Sequence, residues 1–383
     1  MKQAIHFGGG NIGRGFIGEL LVRSGYEVTF VDVADALVHE INVRRSYDIE
    51  VVGNEPKTIH VEHVRAINSN TNSEELLDAF VTADIVTTAI GPNILKFIAP
   101  HIAQGIMRRV AKNEAPLNII ACENMVGGST VLKNFVYEHL ADGMKEQVKR
   151  CIGFPDAAVD RIVPIQHNED PLLVKVEPFC EWDVDRKGVV GTEPRIEGLT
   201  WVDNLTAYIE RKLFSVNTGH ASIAYLAYLK GIGDIATAMQ DEGIVSFVRC
   251  VWAETSELLI GKYGFDREKH AAYIRTVEER FKNPHLSDAV TRVARGPKRK
   301  LGAKDRLVSP ASQLMERGGK PETLATVIAA ALHFDYGDDP EAVEVQNYVK
   351  EHGFAEAITH FTEIPAGSGL FNLILAKNAE LRK

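Results

Sequence analysis

Short apolar runs alternate with a stretch of helical periodicity at the start of the chain. Residues 3–7 are apolar and precede a glycine-rich turn, residues 12–24 have helical spacing, and residues 27–33 form a second apolar run. This order is typical of a βαβ unit. The apolar run returns at residues 85–90 and 117–122, as in parallel strands that are buried on both faces. The pattern therefore predicts a doubly wound α/β sheet in the N-terminal part of the chain.

The pattern changes twice further along the chain. Residues 172–182 and 188–197 alternate polar and apolar positions between glycines and prolines, which predicts an antiparallel extension of the sheet. Beyond Trp201, helical periodicity continues to the C-terminus, with breaks at glycine and proline clusters. We predict a sheet domain over residues 1–200 and a mostly α-helical domain over residues 201–383.

The glycine-rich turn after the first predicted strand matches the pattern GxGxxG at Gly8, Gly10 and Gly13. Such glycines allow a sharp turn and a close approach of the backbone to a pyrophosphate at a helix N-terminus. Asp32 ends the second strand, where a carboxylate can accept the ribose hydroxyls of NAD and repel the 2′-phosphate of NADP. The sequence thus predicts a Rossmann-type NAD site, against the alternative of a plain connecting turn. Its candidate residues are Phe7, Gly8, Gly9, Gly10, Asn11, Ile12, Gly13, Arg14 and Asp32.

An amine, a carboxamide and an imidazole follow one another within nine residues, at Lys212, Asn217 and His220. At about 100° per residue of an α-helix, Asn217 lies roughly 140° from Lys212 and His220 falls between them. One helix could therefore present all three to one cleft. Oxidation of an alcohol needs a base and a donor for the transient alkoxide, and lysine and asparagine suit these roles. A lysine base requires a pKa lowered toward ~7 to 8. Each residue alone has an ordinary alternative, as a solvated charge, a helix kink or an interior histidine.

The net charge and the cysteine content limit the kinds of partner and the cellular compartment that we expect. The chain of 383 residues has a formal charge of −9, which argues against general affinity for nucleic acid or anionic membranes. Its four cysteines are scattered, as is usual for reduced thiols, and no run approaches a membrane span. We expect a cytoplasmic protein with a small-molecule partner, either monomer or homodimer. We expect no metal, because His60 and His63 form only an HxxH pair without a third ligand nearby.

The segment KLFSVNTGH resembles the lysine, asparagine and histidine signature of the polyol-specific long-chain dehydrogenases. Further segments are similar to the branch of that family that acts on mannitol 1-phosphate: HFGGGNIGRGFIG, IIACENMVGG, DAAVDRIVP and RKLGAKDRL. The resemblance implies a zinc-independent, NAD-dependent interconversion of D-mannitol 1-phosphate and D-fructose 6-phosphate. It also implies that Lys212 is the acid/base, that Asn217 and Asn124 form the oxyanion pocket, and that His220 helps to hold the substrate.

A phosphorylated substrate would need cations, and residues 295–306 form a dense basic segment in this acidic chain. Arginine pairs with phosphate through two-point contacts. The candidate substrate-binding residues are Arg299, Lys300 and Arg306, with Arg292 for the sugar hydroxyls and Asp160 and Arg161 at lower rank. The alternatives are a solvated charged loop for the segment and a structural ion pair for Asp160 and Arg161.

Three other functions fit parts of the sequence. An unphosphorylated-polyol or hexonate dehydrogenase of the same family would have the same catalytic helix. A β-hydroxyacid dehydrogenase also joins a Rossmann-type domain to a helical one. By resemblance, however, that class has its lysine and asparagine four residues apart, whereas this chain has them five residues apart. A non-catalytic NAD-sensing module would need neither Lys212 nor the two asparagines.

Overall fold

The computed structural model describes residues 1–53, 55–164, 166, 168–286 and 288–381. By its internal contacts the chain divides into two compact units, Met1–Tyr208 and Ile209–Lys383. The division falls inside the helix Leu205–Lys212. Every helix within the described ranges is too short or too polar to span a lipid bilayer.

The first unit is built on a six-stranded parallel sheet. Its strand order is β5-β2-β1-β6-β7-β8, and every neighbouring pair is parallel. The order reverses direction at β1, which is the doubly wound arrangement predicted from the sequence. The strands of this unit are β1 (Lys2–Phe7), β2 (Tyr26–Asp32), β3 (Ser46–Val51), β4 (Lys57–Glu62), β5 (Val64–Asn68), β6 (Ile85–Thr88), β7 (Leu117–Ala121), β8 (Ile152–Gly153), β9 (Ala157–Asp160), β10 (Val174–Val176), β11 (Glu181–Asp185) and β12 (Leu199–Val202).

Both faces of this sheet are buried. Along β1, Ala4 packs into one hydrophobic cluster with Leu20 and Phe30, and Ile5 packs into a second cluster with Ile102. Successive side chains of a strand point to opposite faces, so an uninterrupted apolar run buries a strand on both sides. The apolar runs in the sequence therefore identified these strands correctly.

Helices cover the two faces of the sheet. They are α1 (Glu19–Arg23), α2 (Asp35–Arg44), α3 (Ser73–Thr82), α4 (Leu95–Lys112), α5 (Gly128–Glu138) and α6 (Lys145–Cys151), and the unit also contains short 3₁₀ turns at Pro92–Ile94 and Arg186–Gly188. The next helix, α7 (Leu205–Lys212), is the one in which the two units divide. The helix after the glycine-rich turn is not regular, because Gly13–Gly18 is a π-helix that continues directly into α1. We call this segment the first π-helix.

The predicted antiparallel extension of the main sheet is wrong in detail. The strands beyond β8 belong to two separate three-stranded sheets, β10-β3-β4 and β12-β11-β9. Each contains one parallel and one antiparallel pair. The reason is the hairpin of β3 and β4, which the sequence analysis did not assign and which offers β10 a separate edge.

The second unit is helical, as predicted. A second π-helix, Leu213–Asn217, follows α7 and leads into α8 (Thr218–Leu229). The buried helix α8 packs against α10, α12 and α15. The remaining helices are α9 (Ile235–Ala238), α10 (Glu242–Tyr263), α11 (Arg267–Lys282), α12 (Val290–Ala294), α13 (Pro297–Lys300), α14 (Val308–Glu316), α15 (Glu322–Leu332), α16 (Pro340–His352), α17 (Phe354–Thr362) and α18 (Gly369–Leu381), with a 3₁₀ turn at Pro284–Leu286.

Candidate functional site

The candidate cofactor site lies at the carboxyl edge of the parallel sheet. The glycine-rich turn follows Phe7 at the end of β1, and Asp32 is the last residue of β2. The order of the strands reverses between β1 and β6, and open α/β sheets bind their ligands at such a switch point. The predicted cofactor residues and the loop after β6 therefore share the edge where a ligand is expected.

The three glycines of the motif differ in whether the surrounding structure would accept a side chain. Gly8 has φ of +103°, and a Cβ there would lie 2.5 Å from the carbonyl oxygen of Ala89. A Cβ on Gly13 would lie 2.8 Å from Nε2 of His6 and would collide with the Gly8 carbonyl. A Cβ on Gly10 would meet no protein atom within 4 Å. The fold itself requires the first and third glycines, whereas the middle one faces open space, where the absence of a side chain would let a pyrophosphate approach the backbone.

The carboxylate of Asp32 is anchored to the backbone on both sides. One oxygen accepts the N–H of Gly9 at 2.8 Å, and the other accepts those of Val33 at 2.7 Å and Ala34 at 3.0 Å. Each carboxylate oxygen has two lone pairs. The side chain is partly buried, and the oxygen that binds Gly9 retains one acceptor position for a ribose hydroxyl.

Arg14 differs from its prediction as a pyrophosphate ligand. Its buried guanidinium donates to the carbonyl oxygens of Gly9, Leu172 and Pro171. Burial is the main cause that lowers its pKa. The donors face protein acceptors, so the structure gives Arg14 the role of fastening the glycine-rich turn.

Glu123 is a residue of this edge that the sequence analysis missed. Its buried carboxylate accepts the Thr88 hydroxyl at 2.7 Å and the N–H groups of Ile90 and Gly91 at 3.0 and 2.8 Å. It thereby joins the loop after β6 to the loop after β7, where the exposed Asn124 follows directly. The available signal was its position beside Asn124 at a strand end.

Arg161 has a partner other than substrate. Its guanidinium lies 2.7 Å from the carboxylate of Glu19, with the two side chains 3% and 1% exposed, and it also donates to the carbonyl of Glu177. Asp160 is the buried last residue of β9. This geometry favours the alternative of a structural ion pair for Arg161, with Glu19 as its partner. Arg161 is therefore not included among the proposed substrate contacts.

The predicted catalytic residues of the second unit do not share one regular α-helix. Lys212 ends α7, Asn217 ends the second π-helix, and His220 lies in the first turn of α8. All three are partly buried. A π-helix joins residues five apart. At about 4.4 residues per turn, five residues rotate through roughly one turn plus 50°, instead of the 140° beyond one turn of an α-helix. The π-helix thus brings Lys212 and Asn217 nearer to one face than a regular α-helix would.

Positive charge surrounds His220. Burial lowers the pKa of its imidazole to about 3, with further lowering by Arg292, Arg306, Arg280 and Lys300. The ring also stacks on Phe281, with centroids 4.7 Å apart. The structure therefore groups three predicted cationic residues around the predicted histidine, and it adds Arg280, which the sequence analysis missed because it lies in α11, away from the basic segment.

The basic segment is only partly solvated. Lys300 is 4% exposed and donates to the carbonyl of Arg295. Burial lowers its pKa to about 7, and the neighbouring arginines Arg306 and Arg299 contribute to the lowering. Two positive neighbours and a buried amine in one place favour an anion site over the alternative of a solvated loop for Lys300.

The three arginines are held by carboxylates. Arg306 pairs with Asp305 at 2.7 Å, Arg299 is half exposed and lies 3.5 Å from the same side chain, and Arg292 pairs with Asp288. The carbonyl of Arg306 accepts the Thr218 hydroxyl at 2.6 Å, which ties the basic segment to the start of α8. Within the described ranges, no three His, Cys, Asp or Glu side chains are grouped as a metal site requires.

A Rossmann-type sheet with its glycine-rich turn, followed by a helical unit carrying a lysine, an asparagine and a histidine, defines the class of two-domain dehydrogenases. The family models for the mannitol dehydrogenase Rossmann domain and the mannitol dehydrogenase C-terminal domain match residues 2–198 and 204–377. The chain belongs to the mannitol dehydrogenase family.

Individual relatives are similar over nearly the whole chain. A mannitol-1-phosphate 5-dehydrogenase of Brevibacillus brevis is 51% identical, covering 99% of this chain and 98% of its own, and that of Bacillus subtilis is 48% identical, covering 98% and 99%. Two solved structures share the fold. Pseudomonas fluorescens mannitol 2-dehydrogenase in a ternary complex with NAD and D-mannitol has a TM-score of 0.73 at 19% identity, covering 100% of this chain and 92% of its own. A substrate-free D-sorbitol dehydrogenase has a TM-score of 0.85 at 16% identity, covering 99% and 93%.

Proposed function

We propose that this chain interconverts D-mannitol 1-phosphate and D-fructose 6-phosphate with NAD. The observation that carries the proposal is the 51% identity, over 99% of the chain, to a mannitol-1-phosphate 5-dehydrogenase. The alcohol at C5 of the mannitol phosphate loses a hydride and a proton, and this carbon becomes C2 of fructose 6-phosphate. When bound, the nicotinamide cofactor would supply the hydride acceptor for oxidation and the hydride donor for reduction.

The first unit supplies the groups to hold NAD. The turn from Gly8 to Gly13 would bind the pyrophosphate through backbone amides, and the open space at Gly10 would let this ligand approach. Asp32 would accept one ribose hydroxyl of the adenosine half through the oxygen that also binds Gly9, and would repel an additional phosphate there. These roles support NAD over NADP.

Lys212 is the proposed acid/base. In oxidation its neutral amine removes the hydroxyl proton, and in reduction its ammonium returns that proton to the alkoxide. Asn217 and Asn124 are the proposed amide donors to the developing oxyanion. The imidazole of His220, with its pKa lowered to about 3, is neutral at physiological pH and can hydrogen-bond a sugar hydroxyl without adding charge. The amine and the amides can perform these steps, so we propose that no metal takes part.

The substrate phosphate is assigned to the basic segment. Lys300 and Arg306 are the first candidates because the buried amine of Lys300 has Arg306 as a charged neighbour, and both lie near His220. Arg299, which is half exposed, is the second choice. Hydrogen bonds to charged groups contribute about 1.5–3 kcal/mol each, so two of them would favour a phosphorylated sugar by roughly 100-fold or more.

A steady-state assay tests the function. We expect NADH to be oxidised by fructose 6-phosphate with kcat/KM about 100-fold or more above that for fructose, and NADPH to be a poor substitute. Equal rates with both sugars would instead support an unphosphorylated-polyol dehydrogenase. Turnover of neither sugar, with NADH bound, would support the non-catalytic sensing module.

The lowered pKa of Lys300 leads to a second prediction, on how substrate binding depends on pH. Lys300 is charged below pH 7 and increasingly neutral above it. We expect the dissociation constant for fructose 6-phosphate to rise by about tenfold or more between pH 6.5 and 9, because a neutral amine loses a charge-assisted contact to the phosphate. Calorimetric titration in the presence of NAD measures this constant without turnover.

The matched variants are Lys300→Met and Lys304→Met. Lys304 is an exposed lysine of the same segment. Lys300→Met should bind weakly at every pH, and Lys304→Met should follow the unmodified chain. If Lys300→Met kept both the affinity and its pH dependence, Lys300 would not contact the phosphate.

The remaining assignments stay proposals. They are a domain boundary near residue 200, a cytoplasmic location and a small-molecule partner. The family models leave residues 199–203 between their two matches, which supports the boundary.

A further inference from the structure

The second π-helix is held by side chains from outside it. Thr218 donates its N–H to the carbonyl of Leu213, five residues back, which is the hydrogen bond that defines a π-turn. The hydroxyl of Thr218 lies 3.0 Å from the same carbonyl and 2.6 Å from that of Arg306. The indole N–H of Trp252, on α10, donates to the carbonyl of Ser215 in the middle of the π-helix at 2.9 Å.

Trp252 can reach the carbonyl of Ser215 because Gly219, four residues further along, has no side chain. A Cβ on Gly219 would lie 2.8 Å from Cε2 and 2.9 Å from Cζ2 of the indole. Real Cβ atoms do not come this close to a rigid ring, so any side chain at Gly219 would displace Trp252. The indole of Trp252 therefore occupies the space that a side chain at Gly219 would need.

The same indole also supports the histidine. Trp252 and Phe281 are nearly parallel, with 6.3 Å between ring centroids and 12° between planes. The ring of Phe281 also stacks on that of His220, with 4.7 Å between ring centroids and 18° between planes. Trp252 therefore acts on the predicted catalytic residues along two routes, through the Ser215 carbonyl and through the Phe281 ring.

We propose that Trp252 is a positioning residue that keeps Leu213–Asn217 in the π conformation and so holds Lys212 and Asn217 toward one face. This inference rests on the proposed function, since it assigns Lys212 and Asn217 their chemistry. Regular helices are more stable than π-turns, and π-turns occur mostly at functional sites. Without the indole donor, the segment would shift toward α-helical rotation, and the amide of Asn217 would turn away from the amine.

The test replaces only the N–H group. Incorporating 3-benzothienylalanine at position 252 keeps a bicyclic ring of similar shape and substitutes sulfur for the donor. Misplacement of a catalytic group by about 1 Å can cost on the order of 100-fold in rate. We expect kcat for fructose 6-phosphate to fall roughly 10- to 100-fold, with the KM for the sugar and the dissociation constant for NADH changed by less than about threefold.

Trp182 provides the matched control. It is as fully buried as Trp252, and its indole nitrogen has no hydrogen-bond acceptor within the described ranges. The same substitution there should leave kcat unchanged. Thermal unfolding of both variants reports whether either is simply misfolded, and Trp252→Phe gives a second variant that lacks the donor.

The outcomes separate this proposal from the proposed function. If the unmodified chain turns over fructose 6-phosphate and the Trp252 analogue has the same kcat, the positioning role is wrong and the function stands. If the unmodified chain is inactive, the function is wrong. The position of the His220 ring is then read by NMR, since relaxation of the π-helix would move the start of α8 and shift the His220 ring protons in the Trp252 variants and not in the Trp182 variant. Unshifted His220 protons would also overturn the positioning role.

Discussion

Replacing Lys212 with alanine is expected to lower kcat for fructose 6-phosphate reduction by about 10²- to 10⁴-fold, the usual contribution of a general acid or base. The reason is that the alkoxide would then have to take its proton from water. The KM for the sugar should change much less, because proton transfer is completed only after the substrate is bound. Steady-state kinetics with NADH measure both constants.

Two further measurements sharpen this result. Lys230→Ala removes a lysine that follows α8 and pairs with Asp241, and it should leave kcat nearly unchanged. Added methylamine should restore part of the activity of Lys212→Ala by entering the space of the missing amine. Near-normal kcat in Lys212→Ala, without any added amine, would contradict the acid/base role.

Acid is expected to destabilise the first unit through His6. This imidazole is fully buried in β1, its Nδ1 lies 2.7 Å from the Thr87 hydroxyl, and its Nε2 has no hydrogen-bond partner within the described ranges. Burial lowers its pKa from 6.5 to about 3. Between these values the unfolded chain binds a proton that the folded chain excludes, so the free energy of unfolding falls as pH decreases. The slope is about 1.4 kcal/mol per pH unit, or roughly 2 kcal/mol between pH 6.5 and 5.

The variant His6→Asn isolates this contribution. An asparagine side chain can still form a hydrogen bond with the Thr87 hydroxyl, and it does not titrate. Its smaller volume should lower stability at every pH, but urea unfolding should show a shallower pH dependence than in the unmodified chain. His139→Gln, at an exposed imidazole that follows α5, is the control and should keep the original slope. If His6→Asn and the unmodified chain lost stability in parallel on acidification, buried His6 would not be the cause.

The sequence predicted those parts of the fold that depend on local patterns. The strands β1, β2, β6 and β7 were found because burial on both faces makes the whole strand apolar. The glycine-rich turn was found because its backbone conformation and close contacts require glycine at Gly8 and Gly13. The helical character of the second unit followed in the same way from its periodicity.

The parts that the sequence did not predict depend on partners distant in the chain. Arg14 is fixed by carbonyls more than 150 residues away, and Arg161 by Glu19. Glu123 gains its role from a loop of another strand, and Arg280 lies near His220 only after α11 has packed. The catalytic roles of Lys212, Asn217, His220 and Asn124 stay predictions until the variants are measured.

The second π-helix changes how a difference of one residue in this segment should be interpreted. In an α-helix, residues four apart lie on one face, and in a π-turn residues five apart do so. A lysine and an asparagine separated by four residues in a regular helix are therefore equivalent in geometry to Lys212 and Asn217 in this chain. Insertion or deletion of one residue between them would convert one type of helical turn into the other and keep the two side chains on one face. A deletion of one residue at this point would therefore leave the two side chains on one face, presented by a shorter length of backbone.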